Sequence, residues 1–260
     1  MQRSLRNRTP ENPAWEPATL ASPHTQLDKA ARVQRMFNAI APTYESVNSL
    51  FSAGRDAFWR RRAVELAGVG PGDTVLDIAC GTGDLARAML RASADRVIGC
   101  DFAHQMLLRA ARHPTLPTLC CEADALALPL PDASVTAVSC AFGVRNFQDL
   151  GVGLREMHRV LCPGGRAVVL EFTRPRRLAV RVAYELYASR IMPTLAAWVS
   201  RDRHGAYRYL PRSVVSFLDA KRMCDRLADA GFADVKATPL TLGVVTVYVA
   251  RKGRHGSAPA

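Results

Sequence analysis

The sequence predicts an α/β fold: a mostly parallel sheet covered by helices on both faces and ending in an antiparallel hairpin. Three observations predict it. From residue 74 onward, short runs rich in Val, Ile and Leu alternate with helical runs, the pattern of strands buried on both faces. A glycine turn, "LDIACGTGDLA" (76–86), follows the first apolar run. Near the end of the chain come two β-type runs, "DVKATPL" and "GVVTVYVAR", joined by a short turn. With 260 residues, 48% of them hydrophobic, the chain is long enough for one domain with a full core.

In chain order, residues 1–27 carry Pro10, Pro13, Pro17 and Pro23 with little periodicity. They read as a disordered basic leader. One domain is expected over 28–252, with a disordered tail at 253–260. A helical cover is expected over 28–67, because Val33, Met36, Phe37 and Ile40 fall at helical spacing and a second run extends from Arg55 to Leu66. After "GVGPGD", strands are expected at 74–79, 96–102, 118–125, 135–143 and 166–172. Helices are expected between them at 84–92, 103–112 and 150–161. Leu150, Leu154, Met157 and Leu161 share one helical face, and "CPGG" stops that helix. A last helix is expected from about 213 to 230, with Gly231 at its C-cap. Five strands and a terminal hairpin make a seven-stranded mixed sheet. That is the Rossmann-like layout of class I methyltransferases, not the usual dinucleotide fold.

Composition excludes several classes. No apolar run reaches the roughly 18 residues of a membrane-spanning helix. Arg3, Arg6 and Arg8 precede no apolar core, so the N-terminus does not read as a secretory signal. The seven cysteines form no C-x-x-C pair and several lie in strand-like runs. They read as small buried thiols in a reducing cytoplasm, and neither a metal site nor a disulfide framework is expected. Net charge is +12, and nine arginines between Arg174 and Arg212 face only Glu185 and Asp202. One reading of that excess is the preference of a GC-rich genome for arginine codons. An anionic partner, nucleic acid or a membrane surface, explains its clustering.

The glycine turn narrows the ligand. Gly81-Thr82-Gly83-Asp84-Leu85-Ala86 satisfies G-x-G-x-x-A, a pattern shared with NAD and FAD proteins. A pyrophosphate would sit on the helix N-terminus, where Asp84 would repel it. Asp77, at the strand end, adds a second negative charge. A cofactor with a positive centre and no phosphate fits better, and S-adenosylmethionine has a sulfonium and an ammonium group. Asp77 can face the ammonium, directly or through water. Gly81 and Gly83 let the backbone come close. Asp101, at the end of the next strand, can accept both ribose hydroxyls. Asp124 at the end of the third strand, with Ala125 after it, lies where the adenine amino group is expected. Three acids at three successive strand ends converge on one crevice.

Several segments carry a specific resemblance. "FNAIAPTYESVN", "LDIACGTGDLA", "AFGVRNF", "REMHRVLCPGGRAVVLEF" and "AYRYLPRSV" resemble the quinone C-methyltransferases, the family of ubiquinone and menaquinone biosynthesis methylases. The similarity covers about residues 30 to 252, and "FGVRN" and "YRYLP" are particular to the family. It implies methyl transfer to a ring carbon of a polyprenyl hydroquinone, without a metal. By the family pattern, Thr82, Asp101, Asp124 and Ala125 contact the cofactor. Arg145 and Asn146 face the substrate ring, and Tyr44 belongs to the segment covering the site. "VRNF" resembles the menaquinone branch, which makes demethylmenaquinol the expected substrate; the benzoquinol intermediate of ubiquinone synthesis is the alternative. The chain departs from the pattern at Glu45, where many members have Asp, and at Ala141, where many have Ser.

The residues support that chemistry. A ring carbon is a poor nucleophile until the neighbouring hydroxyl ionises. A guanidinium beside the ring oxygen favours the phenolate, and Arg145 can supply it. Asn146 can orient a water or the ring oxygen. A dry pocket favours a step in which opposite charges annihilate. The alternative for Arg145 is a surface salt bridge. A polyprenyl tail makes the substrate a membrane lipid, so residues 174–212 are expected to bind an anionic membrane surface. The expected location is cytoplasmic, at the inner face of the cell membrane. A homodimer is admitted as the assembly. An RNA methyltransferase is the more distant reading, but no appended basic-aromatic module and no N-P-P-Y tetrapeptide supports it. No nucleic-acid partner is therefore expected. A non-catalytic binding module would leave the acid set unexplained.

Overall fold

The computed structural model describes residues 15–113, 119–187 and 205–254. The N-terminal part forms α1 (Pro17–Leu20), α2 (Lys29–Ile40), α3 (Tyr44–Phe51) and α4 (Asp56–Ala67). The alternating part follows: β1 (Thr74–Ile78), α5 (Asp84–Arg91), β2 (Arg96–Asp101), α6 (His104–Ala111), β3 (Leu119–Glu122), β4 (Val135–Ala141), α7 (Leu150–Val160) and β5 (Leu161–Phe172). Then come α8 (Leu178–Leu186), α9 (Ala206–Val215), α10 (Ala220–Asp229), β6 (Ala233–Leu240) and β7 (Val245–Arg251).

The seven strands lie in the order β3-β2-β1-β4-β5-β7-β6. β1 to β5 pair in parallel, and β7 runs antiparallel between β5 and β6. The strand order reverses between β1 and β4, and a crevice opens at such a switch point. One face of the sheet buries Leu154, Met157, Met223 and Leu227 of α7 and α10. The other buries Trp59, Ala63, Leu85 and Met89 of α4 and α5. A third cluster, with Trp15, Val33, Met36, Met106 and Tyr209, joins the N-terminal cover to α6 and α9.

Three expectations need correction. Residues 15–27 are ordered, not a disordered leader. Trp15 is fully buried and stacks on Tyr209 with ring centroids 4.3 Å apart. The His24 Nε2–H donates to the Ser213 carbonyl at 2.9 Å. Pro17 and Pro23 each open a short helical turn, where a fixed φ is an asset; one anchored indole holds the segment without any periodic face. Residues 1–14 and 255–260 lie outside the described residues. Second, the helix expected over 213–230 is two helices. The chain leaves the helix at Ser216, and Asp219 restarts it by accepting from the Arg222 N–H at 2.9 Å. Third, β3 stops at Glu122, so Asp124 lies in the loop beyond it.

Candidate functional site

Two residues beside the switch point have unusual backbones. Ala79 follows β1 with φ +52°, and Phe142 follows β4 with φ +57°. Positive φ is uncommon outside glycine and clusters at functional sites. Gly143 lets the two turns approach. A Cβ there would lie 2.6 Å from both the Ala79 Cβ and the Cys140 Sγ. Gly143→Ala is therefore expected to lower unfolding stability in urea by about 1–3 kcal/mol, through overpacking. An unchanged midpoint would show that the turns separate freely.

Above these turns is a cleft of about 650 Å³, counting its mouth. Gly81, Asp101, Asp124, Ala125, Asn146 and Tyr44 all line it. Asp101 is buried. Its Oδ2 accepts from the Gly81 N–H and its Oδ1 from the Ala103 N–H, both at 2.8 Å. Each carboxylate oxygen keeps a further acceptor position. Burial pushes this carboxyl up to about 6, although both backbone bonds pull it down. The Asp124 Oδ1 accepts from the Leu126 N–H at 3.0 Å, which fixes the loop after β3.

A second chamber of about 1220 Å³ adjoins the first, and Tyr44 and Phe142 belong to both. Its walls include Trp59, Phe172, Tyr184 and Val244, and Arg145 reaches it. Arg145 is 4% exposed. Its Nη1 donates to the Phe142 carbonyl at 2.6 Å and to Glu171 Oε1 at 2.7 Å, and its Nε has no partner. The guanidinium carbon lies 5.7 Å from the Phe172 ring centroid. So the salt bridge is real, but it is buried rather than at the surface.

Several sequence-predicted residues lie outside the cleft. Asp77 is 1% exposed beneath it. Ser139, its neighbour in the sheet register, donates to Oδ1 at 2.7 Å, and Oδ2 has no partner. Burial pushes the Asp77 carboxyl up to about 7. Direct facing of a ligand by Asp77 is therefore corrected to a place under the floor. Thr82 is buried, with its carbonyl accepting from Arg87 Nη1 at 2.8 Å. Gly83, at φ +85°, caps α5. In the glycine turn, Gly81 alone lines the cleft. Asp84 is paired with Arg87, and with Arg60 Nη2 at 3.1 Å. The repulsion expected from Asp84 is thus largely neutralised.

The profile of the ubiE/COQ5 methyltransferase family matches residues 25–252. The chain belongs to that family. A demethylmenaquinone methyltransferase of Thermus thermophilus is 46% identical over 218 residues, covering 82% of this chain and 98% of that protein. One of Deinococcus radiodurans is 42% identical over 229 residues, covering 86% and 94%. A ubiquinone/menaquinone biosynthesis C-methyltransferase of Geobacter sulfurreducens is 39% identical over 233 residues, covering 87% and 90%. Among solved structures, an S-adenosylmethionine-dependent methyltransferase of Thermotoga maritima aligns with a TM-score of 0.59 at 18% identity, covering 84% of this chain and 98% of that one. One from Aquifex aeolicus gives 0.58 at 16%, covering 80% and 97%. These structures establish the shared fold.

This ubiE/COQ5-family methyltransferase takes its methyl group from S-adenosylmethionine. The site fits that molecule. Asp101 has acceptor capacity to spare and Gly81 leaves the turn open, while Asp77 Oδ2 is an unpartnered buried acceptor under the floor. Among the described residues, no group of His, Cys, Asp and Glu is arranged to hold a metal ion. The seven cysteines are free thiols, two buried and five half-buried. No helix among the described residues is long and apolar enough to cross a membrane.

Two functional candidates escaped the sequence reading. Glu171 is a fully buried acid near the end of β5; the signal was one carboxylate in the apolar run "VVLEF". Tyr209 donates to Asn146 Oδ1 at 2.9 Å, while Asn146 Nδ2 donates to the Phe142 carbonyl at 3.2 Å. Its signal was the second tyrosine of "YRYLP", which only the packing of α9 brings to Asn146.

Proposed function

We propose that this chain transfers a methyl group from S-adenosylmethionine to a ring carbon of demethylmenaquinol, a polyprenyl hydroquinone. The reading rests on two unlike chambers meeting at Tyr44 and Phe142. One offers the Asp101 carboxylate, as a nucleoside needs. The other is rich in aromatic and apolar walls with two buried guanidiniums, of which Arg60 is ion-paired with Asp56 and Asp84 and Arg145 with Glu171, as a quinol ring with a hydrocarbon tail needs. The demethylmenaquinone methyltransferases among its relatives favour the naphthoquinol over the benzoquinol.

When bound, S-adenosylmethionine would supply an electrophilic methyl group carried on a sulfonium, the sulfur leaving as the neutral thioether S-adenosylhomocysteine and the ring carbon releasing its proton to water as aromaticity returns. Asp101 accepts the ribose hydroxyls, and Asp124 and Ala125 meet the adenine edge. Gly81 lets the backbone close in, while Thr82, Gly83 and Asp77 shape the turn from below. Of the five guanidinium N–H groups of Arg145, those not taken by Phe142 and Glu171 serve the ring oxygen. They favour its ionised form. Asn146, held by Tyr209 and Phe142, orients that oxygen. Tyr44 and α3 exclude water.

The test is methylation of a short-tailed demethylnaphthoquinol, kept reduced by dithionite, with methyl-labelled S-adenosylmethionine. One labelled methyl on the ring carbon is expected. Faster turnover of the benzoquinol would move the assignment to that substrate. Methylation of neither would overturn it.

The prenyl tail also brings the enzyme to the inner membrane face, as a peripheral protein of the cytoplasm. On α8, Leu178, Val182 and Leu186 are 63%, 55% and 48% exposed at helical spacing, beside exposed Arg174, Arg176 and Arg177. Residues 188–204 of the basic segment lie outside the described residues. Each basic residue near an anionic surface contributes about 1 kcal/mol, screened by salt. Flotation with anionic liposomes is expected to fall as salt is added. Equal flotation with neutral liposomes would assign the attachment to apolar contact alone.

A further inference from the structure

Glu171 is a fully buried carboxylate of β5 that bonds to Arg145 as well as to the next residue of its own strand. Its Oε1 accepts from Arg145 Nη1 at 2.7 Å and from the Phe172 N–H at 2.8 Å, and its Oε2 lies 3.4 Å from the Arg145 backbone N–H. Both side chains are almost fully enclosed, at 5% exposure for Arg145 and 1% for Glu171. A buried pair of this kind gains little over a well-packed apolar pair. Its presence at the wall of the second chamber therefore asks for a role.

We propose that Glu171 is a positioning residue that tunes how strongly the second chamber favours an ionised ring hydroxyl. It pairs with Arg145, so that the ring oxygen meets an oriented neutral ion pair instead of a free cation. The proposal rests on the quinol-methylation reading above. The guanidinium must lie between the carboxylate and the ring. The phenolate is then stabilised by the near positive end and held back by the far negative end. Without the carboxylate, the phenolate would form at lower pH but would be a poorer nucleophile. With it, the oxygen ionises near neutrality and keeps its push on the ring carbon.

The other groups around the pair leave this balance in place. Tyr44, Tyr184 and Tyr209 face Arg145, and burial raises all three, so they stay neutral. Cys140 of β4 and Tyr248 of β7 face Glu171 from the sheet and are likewise raised by burial. Arg60 on the chamber wall is matched by Asp56 and Asp84. His24 is lowered by burial, and burial brings Lys29, whose Nζ donates to the Phe147 carbonyl at 2.5 Å, down to about 8. Both also feel Arg145, so they act alike wherever Arg145 is kept, and differences between wild type and the Glu171 variants come from position 171.

The experiment is the single-turnover rate of quinol methylation against pH, for wild type, Glu171→Gln and Glu171→Asp. Cofactor affinity and unfolding are measured on each. In Glu171→Gln the midpoint of the rate rise should move down by about one unit, with a lower plateau, as removal of a charge one guanidinium away predicts. Glu171→Asp keeps the charge and should keep the wild-type midpoint while losing rate. A folded Glu171→Gln variant with an unmoved midpoint overturns the proposal and leaves the methylation reading standing. If that variant does not fold, Glu171→Asp decides, and a midpoint moved away from wild type in the folded aspartate variant overturns the proposal. A wild-type protein that leaves the quinol unmethylated at every pH overturns both readings.

Discussion

Arg145→Ala is expected to lower kcat for quinol methylation by about 10²–10³, the usual effect of removing one preorganised electrostatic group. Its affinity for S-adenosylmethionine should stay near wild type, because Arg145 lines the second chamber and not the cofactor cleft. Truncation also leaves Glu171 buried without its partner. Breaking a buried pair in this way costs about 3–5 kcal/mol of stability, softened by protonation of Glu171, which burial already raises. Activity must therefore be read on the folded fraction. Arg145→Lys should rescue part of the rate, since one ammonium cannot serve Phe142, Glu171 and a ring oxygen in a planar fork. Raising the pH from about 7 toward the phenol range near 10 should partly restore the alanine variant, because the substrate then ionises without help. The check is single-turnover methylation. A wild-type rate in folded Arg145→Ala would leave Arg145 a structural ion-pair residue. A slow variant that ignores pH would limit it to positioning.

Asp101→Ala is expected to weaken S-adenosylmethionine binding by about 10²-fold or more, read by calorimetry. Hydrogen bonds to a charged acceptor contribute about 1.5–3 kcal/mol each, and two are lost to the ribose. The same truncation strips the Gly81 and Ala103 N–H groups of their acceptor, so the turn that forms the cleft floor also loosens. Asp101→Asn should retain part of the affinity by keeping one acceptor. The pH sense follows from the direction of the shift. Folding raises Asp101 from 3.8 to about 6, so this group alone makes the ligand-free protein less stable as pH rises between those values. The ribose hydroxyls need the ionised form. Affinity should therefore fall as pH drops through about 6. Unchanged affinity in Asp101→Ala would remove the ribose assignment.

Much of this protein was legible in the chain. Strands buried on both faces must be apolar, and helices between them must show one apolar stripe, so β1 to β5 with α5 to α7 followed from residue pattern. The hairpin β6–β7 followed from two β-type runs and a short turn. The crevice followed in part: of the three acids read at strand ends, Asp101 lines it from the end of β2 and Asp124 from the loop beyond β3, while Asp77 lies under its floor. Asp101, Asp124 and Gly81 line it as expected. Arg145 and Asn146 were legible as a motif, and the structure brings them to adjoining chambers.

What remained hidden depends on contacts between residues far apart in sequence. Trp15 has no periodic partner nearby; its burial comes from Tyr209, which also reaches Asn146. Asp84 looked like a free charge beside the glycine turn. Arg60, from the cover helix α4, cancels much of it. Asp77 looked exposed to the ligand, yet Ser139 of the adjacent strand holds it under the floor. Glu171 read as one residue of a strand until β5 set it against Arg145. Periodicity determines which residues are buried in which element, so the sequence by itself determined the fold and the edge of the sheet where the cleft opens. A charge takes its role from whichever partner the packing places within about 3 Å, so only the tertiary structure decided which carboxylates remain available and which are already neutralised.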